Sequence, residues 1–429
     1  MTHNNYTKNI LNIKDQNIYF GENCFNIVKI NNIDTMVFHG VLTYKPASCP
    51  YCGVVNNSND DIINWGFKKN CKIKIPKISN YNSLVVLDKQ RFFCKHCQRT
   101  FIAETSLVDY HKQISHNTEL SITLDLMNKG SEKDISKRNN VSSCTTNRIL
   151  HKISQDKIIK NNGILPKKMG IDEFDATKDT ISKLAFIIVD QDKKNIFDIN
   201  NSRLSKDIET LFRRYSKRER DKVELITLDL YEPYYKLMKK LFKKAILVPD
   251  RFHIVLQPRN VLDASRIKLC VKSNPNYKKL KKYWKLILKN ENELNDKRKF
   301  YSKCFKKEVT EKYIVTYLIN TDNELKITYN YYQGILNSID SKDKEKFSNI
   351  IHHYNKGISK KLDKVNKTFL RMENYILNAL EYDYSNGIVE GTNNLIKQIK
   401  HDACGYRKFE HLKARVMLIK GLLNPIISQ

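Results

Sequence analysis

A chain of 429 residues is longer than one ordinary core supports, so about two to four structural units are expected and a single small domain is excluded. Its 76 lysines and arginines against 46 acids give a formal charge of +30, which points to a polyanionic partner, nucleic acid ahead of an acidic membrane. No stretch approaches the ~20 apolar residues of a membrane helix, and the amino terminus MTHNNYTKNILNIKDQN lacks the apolar run of a signal peptide, so a reducing cytoplasm is expected.

Residues 1–45 contain short alternating apolar runs, such as TMVFHGVLTY from Thr35 to Tyr44, and read as a small, mostly β segment. Residues 46–105 carry Cys49-Pro-Tyr-Cys52-Gly and Cys94-Lys-His-Cys97. Of the ten cysteines these four form two knuckles, while others such as Cys270 and Cys304 stand alone, so metal is favoured over a disulfide framework. Four thiolates suit a closed, structural zinc site, with His96 or Cys71 as substitute ligands. Between the knuckles, IKIPKI and LVVLDKQRFF read as strands that fold back on one another.

A polar connector with His111 and His116 leads into a helical region from about Leu120 to Ile159. Glu119–Met127, Glu132–Arg138 and Ser142–Ile153 read as three helices, the last two separated by Asn139-Asn140-Val141. That spacing suits a helix-turn-helix DNA-binding domain over 110–160, although an ordinary three-helix packing unit has the same pattern. Ser142 caps the third helix, Thr145, Thr146, Asn147 and Arg148 lie early on it where DNA is met, and Ile135, Val141 and Ile149 pack inward.

Turn residues in NNGILPKK place a boundary near Asn161 to Lys168. Strands follow at Met169–Phe174, Leu184–Asp190 and Asn195–Asn200, then a helix at Leu204–Tyr215, a strand at Val223–Leu228, a helix at Pro233–Phe242 and a strand at Ala245–Val248. The order β-β-β-α-β-α-β over 165–254 is what an RNase H-like domain requires before its last catalytic helix. Residues 255–380, with YKKLKKYWKLILK and KTFLRMENYILNAL, read as an all-α insertion. Its basic and aromatic composition suits a DNA clamp, while Tyr283, Trp284 and Leu286 at helical spacing read as core. Residues 381–429 are helical again, from the start signal Ser385-Asn386-Gly387.

Phosphodiester cleavage and transfer require carboxylates from separate elements to converge on divalent metal. Acids stand at strand ends or helix starts in GIDEF (Asp172, Glu173), LDL (Asp229) and VPDRFH (Asp250, His253), and Glu390 stands in SNGIVEGTNN. Each by itself reads as a surface acid or a helix cap.

Together, GIDEF, LDLYEPY, PDRFH and SNGIVEGTNNLIKQIK followed by GYRKF resemble the insertion-sequence transposases of the ISL3 family. The resemblance spans nearly the whole chain, including CPYCG with RFFCKHCQRTF, similar to that family's amino-terminal zinc-binding region, and the helix-turn-helix after it. It implies a DDE transposase that cuts at element ends and joins them to target DNA. On that resemblance Asp172 is the first catalytic acid and Glu390 the last. The second is Asp250 on family descriptions, or Asp229 if the end of the fourth strand decides. Asp229 is preferred, with Asp250 and His253 as near-site supports, since Asp250 to His253 also matches an Asp-x-x-His signature of transposases similar to the Mutator and hAT groups.

Strand alternation turns Glu173 and Asp175 away from the face of Asp172. On the last helix Asn394 and Lys397 share the face of Glu390 and suit a DNA phosphate, while Asn393, Lys400, His401 and Arg407 read as a solvated basic surface. The expected protein is a multidomain α/β transposase: zinc-binding and helix-turn-helix domains, then an RNase H-like catalytic domain interrupted by the insertion. Its expected ions are catalytic Mg²⁺ (or Mn²⁺) and structural Zn²⁺. Its expected partners are double-stranded DNA, as terminal inverted repeats and target, and a second copy in the active complex, in a bacterial, nucleoid-associated cytoplasmic setting. A DNA-binding protein descended from a transposase, and a metal nuclease that cuts without joining, are the alternatives.

Overall fold

The computed structural model describes residues 3–57, 60–156 and 163–423; the helix end expected at Ile159 and the first two residues of the boundary expected over Asn161 to Lys168 lie outside them. The chain divides into two units, Met1–Ile159 with Lys397–Gln429, and Lys160–Ile396.

In the first unit a helix, α1 (His3–Ile10), precedes the strands of the segment that the sequence pattern reads as mostly β. Strands β1 (Ile18–Ile30) and β2 (Ile33–Leu42) reverse on Asn31-Asn32, and β3 (Ile62–Ile78) and β4 (Tyr81–Cys94) reverse on Ser79-Asn80. All four turn residues have positive φ, between 47° and 69°, as a two-residue hairpin turn with the right twist demands and asparagine tolerates. The sheet order is β1-β2-β4-β3, with β2 and β4 parallel and β5 (Thr100–Ile102) on β4. The IKIPKI and LVVLDKQRFF segments thus pair antiparallel, as their alternation suggests. Ile18, Phe20, Leu42, Val85, Leu87 and Phe92 form the core beneath, closed by Leu11 and Ile13.

Helices α2 (His116–Leu126), α3 (Glu132–Arg138) and α4 (Ser143–Asp156) follow. Ser142 accepts a hydrogen bond from the Thr145 N–H at 3.2 Å, so it caps α4 as its position suggests.

The second unit is built on a sheet of β6 (Lys168–Asp175), β7 (Leu184–Asp190), β8 (Asn195–Asn200), β9 (Leu225–Leu228) and β10 (Ile246–Pro249). Its order is β10-β9-β6-β7-β8, with β6, β9 and β10 parallel and β7 antiparallel to both neighbours. Helices α5 (Ser205–Arg213), α6 (Lys217–Arg220) and α7 (Glu232–Leu241) connect the strands. Met169, Ile171, Phe186 and Ile188 of the sheet pack with Phe212, Tyr235, Met238 and Phe242.

Then come α8 (Arg251–Leu269), α9 (Tyr277–Lys282), α10 (Trp284–Ile287), β11 (Phe300–Ser302), β12 (Lys307–Val309), α11 (Glu311–Ile319), α12 (Asn323–Asp340), α13 (Lys344–His352) and α14 (Lys360–Glu381). The stretch expected to be wholly helical therefore carries a short hairpin, β11–β12, turned on Lys306 at φ 53°. A second core of Leu262, Leu280, Ile287, Ile314, Leu318 and Leu325 lies within these helices. Helix α14 returns to the sheet, where Asn378 donates to the Leu247 carbonyl at 3.0 Å and Arg251 to that of Ala379 at 2.7 Å. The division between the units falls within α15 (Gly387–Asp402), and α16 (Phe409–Ile419) packs on α4 and α2 in the first. Arg415 of α16 is buried and donates to the carbonyls of Asn128 and Gly130, holding the α2–α3 connection.

Candidate active site

Because β6, β9 and β10 are parallel neighbours, their carboxyl ends open on one edge of the sheet, and an acid stands at each. Asp172 lies near the end of β6, Asp229 directly follows β9, and Asp250 follows β10 and caps α8 by accepting from the Phe252 N–H. In the first turn of α8, His253 Nε2 lies 3.3 Å from Asp229 Oδ1. Ligand atoms of Asp229, Asp250 and His253 all lie within 4.8 Å of one another.

The electrostatics follow from that crowding. Burial, reinforced by the negative charge of Asp229, pushes Asp172 up to about 7. Burial also raises Asp229, against the opposing pull of His253, and it raises Asp250, to which the charge of Glu390 adds. Carboxyls held half-buried and close together resist ionisation until a cation neutralises them, and oxygen donors of this kind suit a hard divalent ion. The residues present therefore fit magnesium or manganese.

Asp172 is fixed by two hydrogen bonds of 2.7 Å, from the Glu173 N–H to Oδ1 and from the Asn393 side-chain amide to Oδ2. Glu173 accepts from the Tyr234 hydroxyl and pairs with Arg203 at 2.9 Å, so this neighbouring acid is engaged elsewhere. Behind the acids runs a buried polar chain: Gln191 donates to the Thr227 hydroxyl at 2.8 Å, and Thr227 donates to Asn386 Oδ1 at 2.6 Å. The Asn386 amide reaches the Ile171 carbonyl at 3.3 Å and Asp229 Oδ1 at 3.5 Å.

Helix α15 comes in over β6 at Gly170, where an added Cβ would lie 2.5 Å from Val389 Cγ2 and 2.7 Å from Gln191 Nε2. That approach puts Glu390, in the first turn of α15 and exposed, close enough for its charge to act on Asp250. Asn394 and Lys397 are exposed farther along α15. Asn393, which the sequence pattern assigns to a solvated surface, is 7% exposed and bonded to Asp172. Asn386, Thr227 and Gln191 are the other residues that sequence reasoning missed.

In the first unit the sulfurs of Cys49 and Cys97 lie 3.6 Å apart and those of Cys52 and Cys94 3.8 Å apart, all four within 4.8 Å. A zinc ion bonded tetrahedrally at about 2.3 Å needs its sulfurs about 3.8 Å apart, so the four thiols fit it. Burial opposes ionisation of Cys49, but the N–H groups of Cys52 and Tyr51 outweigh it and bring that thiol down to about 7; burial pushes Cys97 up to about 12. Cys71 and His96 stand outside the cluster. On α4, Asn147 and Arg148 are exposed and Thr145 half-buried, whereas Thr146 is fully buried and faces the interior. Asn147 donates to Glu132 Oε2 at 3.0 Å and lies 3.4 Å from His411 Nδ1 of α16.

Acids thus stand at the carboxyl ends of three neighbouring parallel strands, and Glu390 stands on a helix that follows them much later in the chain. The family model for ISL3-type DDE transposases, described as "Transposase", matches residues 169–416, more than half of the chain, and the chain belongs to that family. The chain is also similar to a protein from Lactococcus lactis subsp. lactis named "ATP-dependent protease", 32% identical over 127 residues that make up 30% of this chain and 41% of that protein, so it spans less than half of that relative's length.

Proposed function

We propose that the chain binds the terminal inverted repeats of an insertion sequence and catalyses metal-dependent DNA cleavage and strand transfer. The observation that carries this reading is the meeting of Asp172, Asp229 and Asp250 at adjacent strand ends, with the charge of Glu390 reaching the same group. A sheet with three antiparallel strands continued by two parallel ones supports an RNase H-like catalytic domain, interrupted by the helices and hairpin between α8 and α14.

Asp172, Asp229 and Glu390 are the proposed ligands of Mg²⁺ or Mn²⁺, with Asp250 and His253 supporting Asp229. Bound there, the ion supplies charge neutralisation at the phosphodiester that is cut and then joined. The chain's own residues do the positioning: Asn393 orients the Asp172 carboxylate, and Asn386 links the Ile171 carbonyl to Asp229. Asn394 and Lys397 are the proposed phosphate contacts on α15. In the first unit the four cysteines are proposed to hold zinc for shape, and α3–α4 to read DNA as a helix-turn-helix through Asn147 and Arg148, with Thr145 beside them. No helix among the described residues is long and apolar enough to cross a membrane. A nucleoid-associated protein acting as a dimer or larger assembly in a bacterial cytoplasm is part of the proposal.

The test combines purified protein, labelled element ends, target DNA and Mg²⁺, and reads binding, nicking and joining separately. All three are expected. Binding alone identifies a DNA-binding protein without chemistry, and nicking without joined product identifies a nuclease.

A further inference from the structure

We propose that the face formed by α9, α11 and the β11–β12 hairpin is a binding surface for single-stranded DNA, separate from the acidic site. Helix α11 is two-sided. Ile314, Val315 and Leu318 enter the second core, while Tyr313 and Tyr317 stay 41% and 37% exposed. Those two rings lie nearly parallel, 6.4 Å apart with planes at 24°, and Phe305 from the hairpin loop meets Tyr317 edge-on at 5.1 Å. Tyr301 at the hairpin is still more exposed.

Two cations of this face, Lys279 and Lys307, are paired with rings instead of acids. Lys279 Nζ lies 4.4 Å from the Tyr317 ring centroid and 4.7 Å from that of Phe305, and Lys307 Nζ lies 4.3 Å from that of Tyr313. The segment YKKLKKYWKLILK, Tyr277 to Lys289, contains no acid. Within the face, ion pairs are formed by Lys289 with Glu311 and by Lys312 with Asp296. Among the described residues Lys278, Lys279, Lys281, Lys282, Lys285 and Lys307 have no carboxylate within 4 Å. Positive charge left unneutralised beside exposed rings suits a polyanion that carries flat apolar faces. Duplex DNA offers phosphates but hides its base faces, so the rings add affinity only where bases are unpaired. Lysines held over the rings are already placed for phosphate, and the rings they leave accept bases of any sequence.

This inference rests on the proposed DNA substrate but not on the metal chemistry, so binding is measured with the full chain in EDTA. The probes are a fluorescent oligothymidylate and a duplex carrying the element end. Changing Tyr313 and Tyr317 together to Ala is expected to weaken oligothymidylate binding by roughly tenfold or more, and duplex binding by less than about twofold. Changing both to Phe keeps the rings and is expected to retain affinity. Independently, Lys279→Gln with Lys307→Gln is expected to lower the salt slope of oligothymidylate binding by about 1.4. Equal losses on single strand and duplex, or unchanged single-strand affinity and salt slope in the folded variants, would overturn the proposal. Failure of every DNA probe to bind the unaltered chain would instead overturn the wider DNA-binding reading.

Discussion

Asn393 of α15 donates its side-chain amide to Asp172 Oδ2 at 2.7 Å, joining two residues 221 positions apart in the chain. The asparagine is 7% exposed, so the bond is shielded from competing water, and together with the Glu173 N–H on Oδ1 it fixes the orientation of the Asp172 carboxyl group. Asn393→Ala is expected to lower strand transfer by more than about tenfold and to cost about 1–3 kcal/mol of stability, because a buried acceptor loses its donor. Asn393→Asp should be worse, since it places a second carboxylate against the first. Parallel melting and strand-transfer measurements check both.

Gly170 is required by the closeness of α15 to β6. In Gly170→Ala the new methyl meets Val389 at 2.5 Å, and relieving that contact moves the first turn of α15 with Glu390 on it. Overpacking of this kind typically costs about 1–3 kcal/mol. Activity is expected to fall further than stability. Adding Val389→Ala should relieve that clash and recover part of the lost activity; no recovery would show that the contact with Gln191 at 2.7 Å, or a shift of the strand, decides the loss.

Stability of the metal-free protein is expected to fall as pH rises. Asp172 is held up to about 7, above the unfolded value near 3.8, so the folded state keeps a proton that the unfolded chain releases. Its contribution is fully present below about pH 4 and is lost as pH climbs through 7, on the order of 2–4 kcal/mol. Asp172→Asn should flatten this dependence. Mg²⁺ should raise the melting temperature more at pH 8 than at pH 5.5, because ion and proton compete for the same carboxyls.

Removal of zinc is expected to act on the amino-terminal unit. Cys49→Ser or Cys94→Ser should abolish zinc retention after purification without chelator and weaken duplex binding, because β4 ends at Cys94 and loses its anchor. Zinc content by atomic absorption and proteolysis of residues 46–105 report the two effects. Retention of stoichiometric zinc by both variants would remove the four-thiolate assignment.

Much of this was legible in the sequence. Alternating apolar runs located each strand of the second sheet to within about two residues, and the acids of GIDEF, LDL and VPDRFH stood at their ends. Asn393 lies on the buried side of α15 and not on the solvated one, and the sequence carries a signal for it. Val389, Thr392, Asn393, Ile396 and Ile399 form the buried stripe of α15 at intervals of three and four, so the apolar period itself turns Asn393 inward, while Glu390, Asn394 and Lys397 run along the exposed side. Thr146 fell inside for a similar reason, sharing the buried side of α4 with Ile149, Leu150 and Ile153. Gln191 and Thr227 gave no local signal, since their roles depend on tertiary contact with Asn386. Nothing in the pattern of 110–160 announced that α16 would pack on α4 and α2.

The central claim is that Asp172, Asp229 and Glu390 hold the metal at which DNA is joined. Strand transfer of labelled element ends in Mg²⁺ by Asp172→Asn, Asp229→Asn, Asp250→Asn and Glu390→Gln, each checked for unchanged end binding, tests it most directly. Loss of joined product by more than about a hundredfold is expected for Asp172, Asp229 and Glu390, with a smaller loss for Asp250. Full joining by Asp172→Asn or Glu390→Gln would contradict the account, and full joining by Asp229→Asn with none by Asp250→Asn would move the second acid to Asp250.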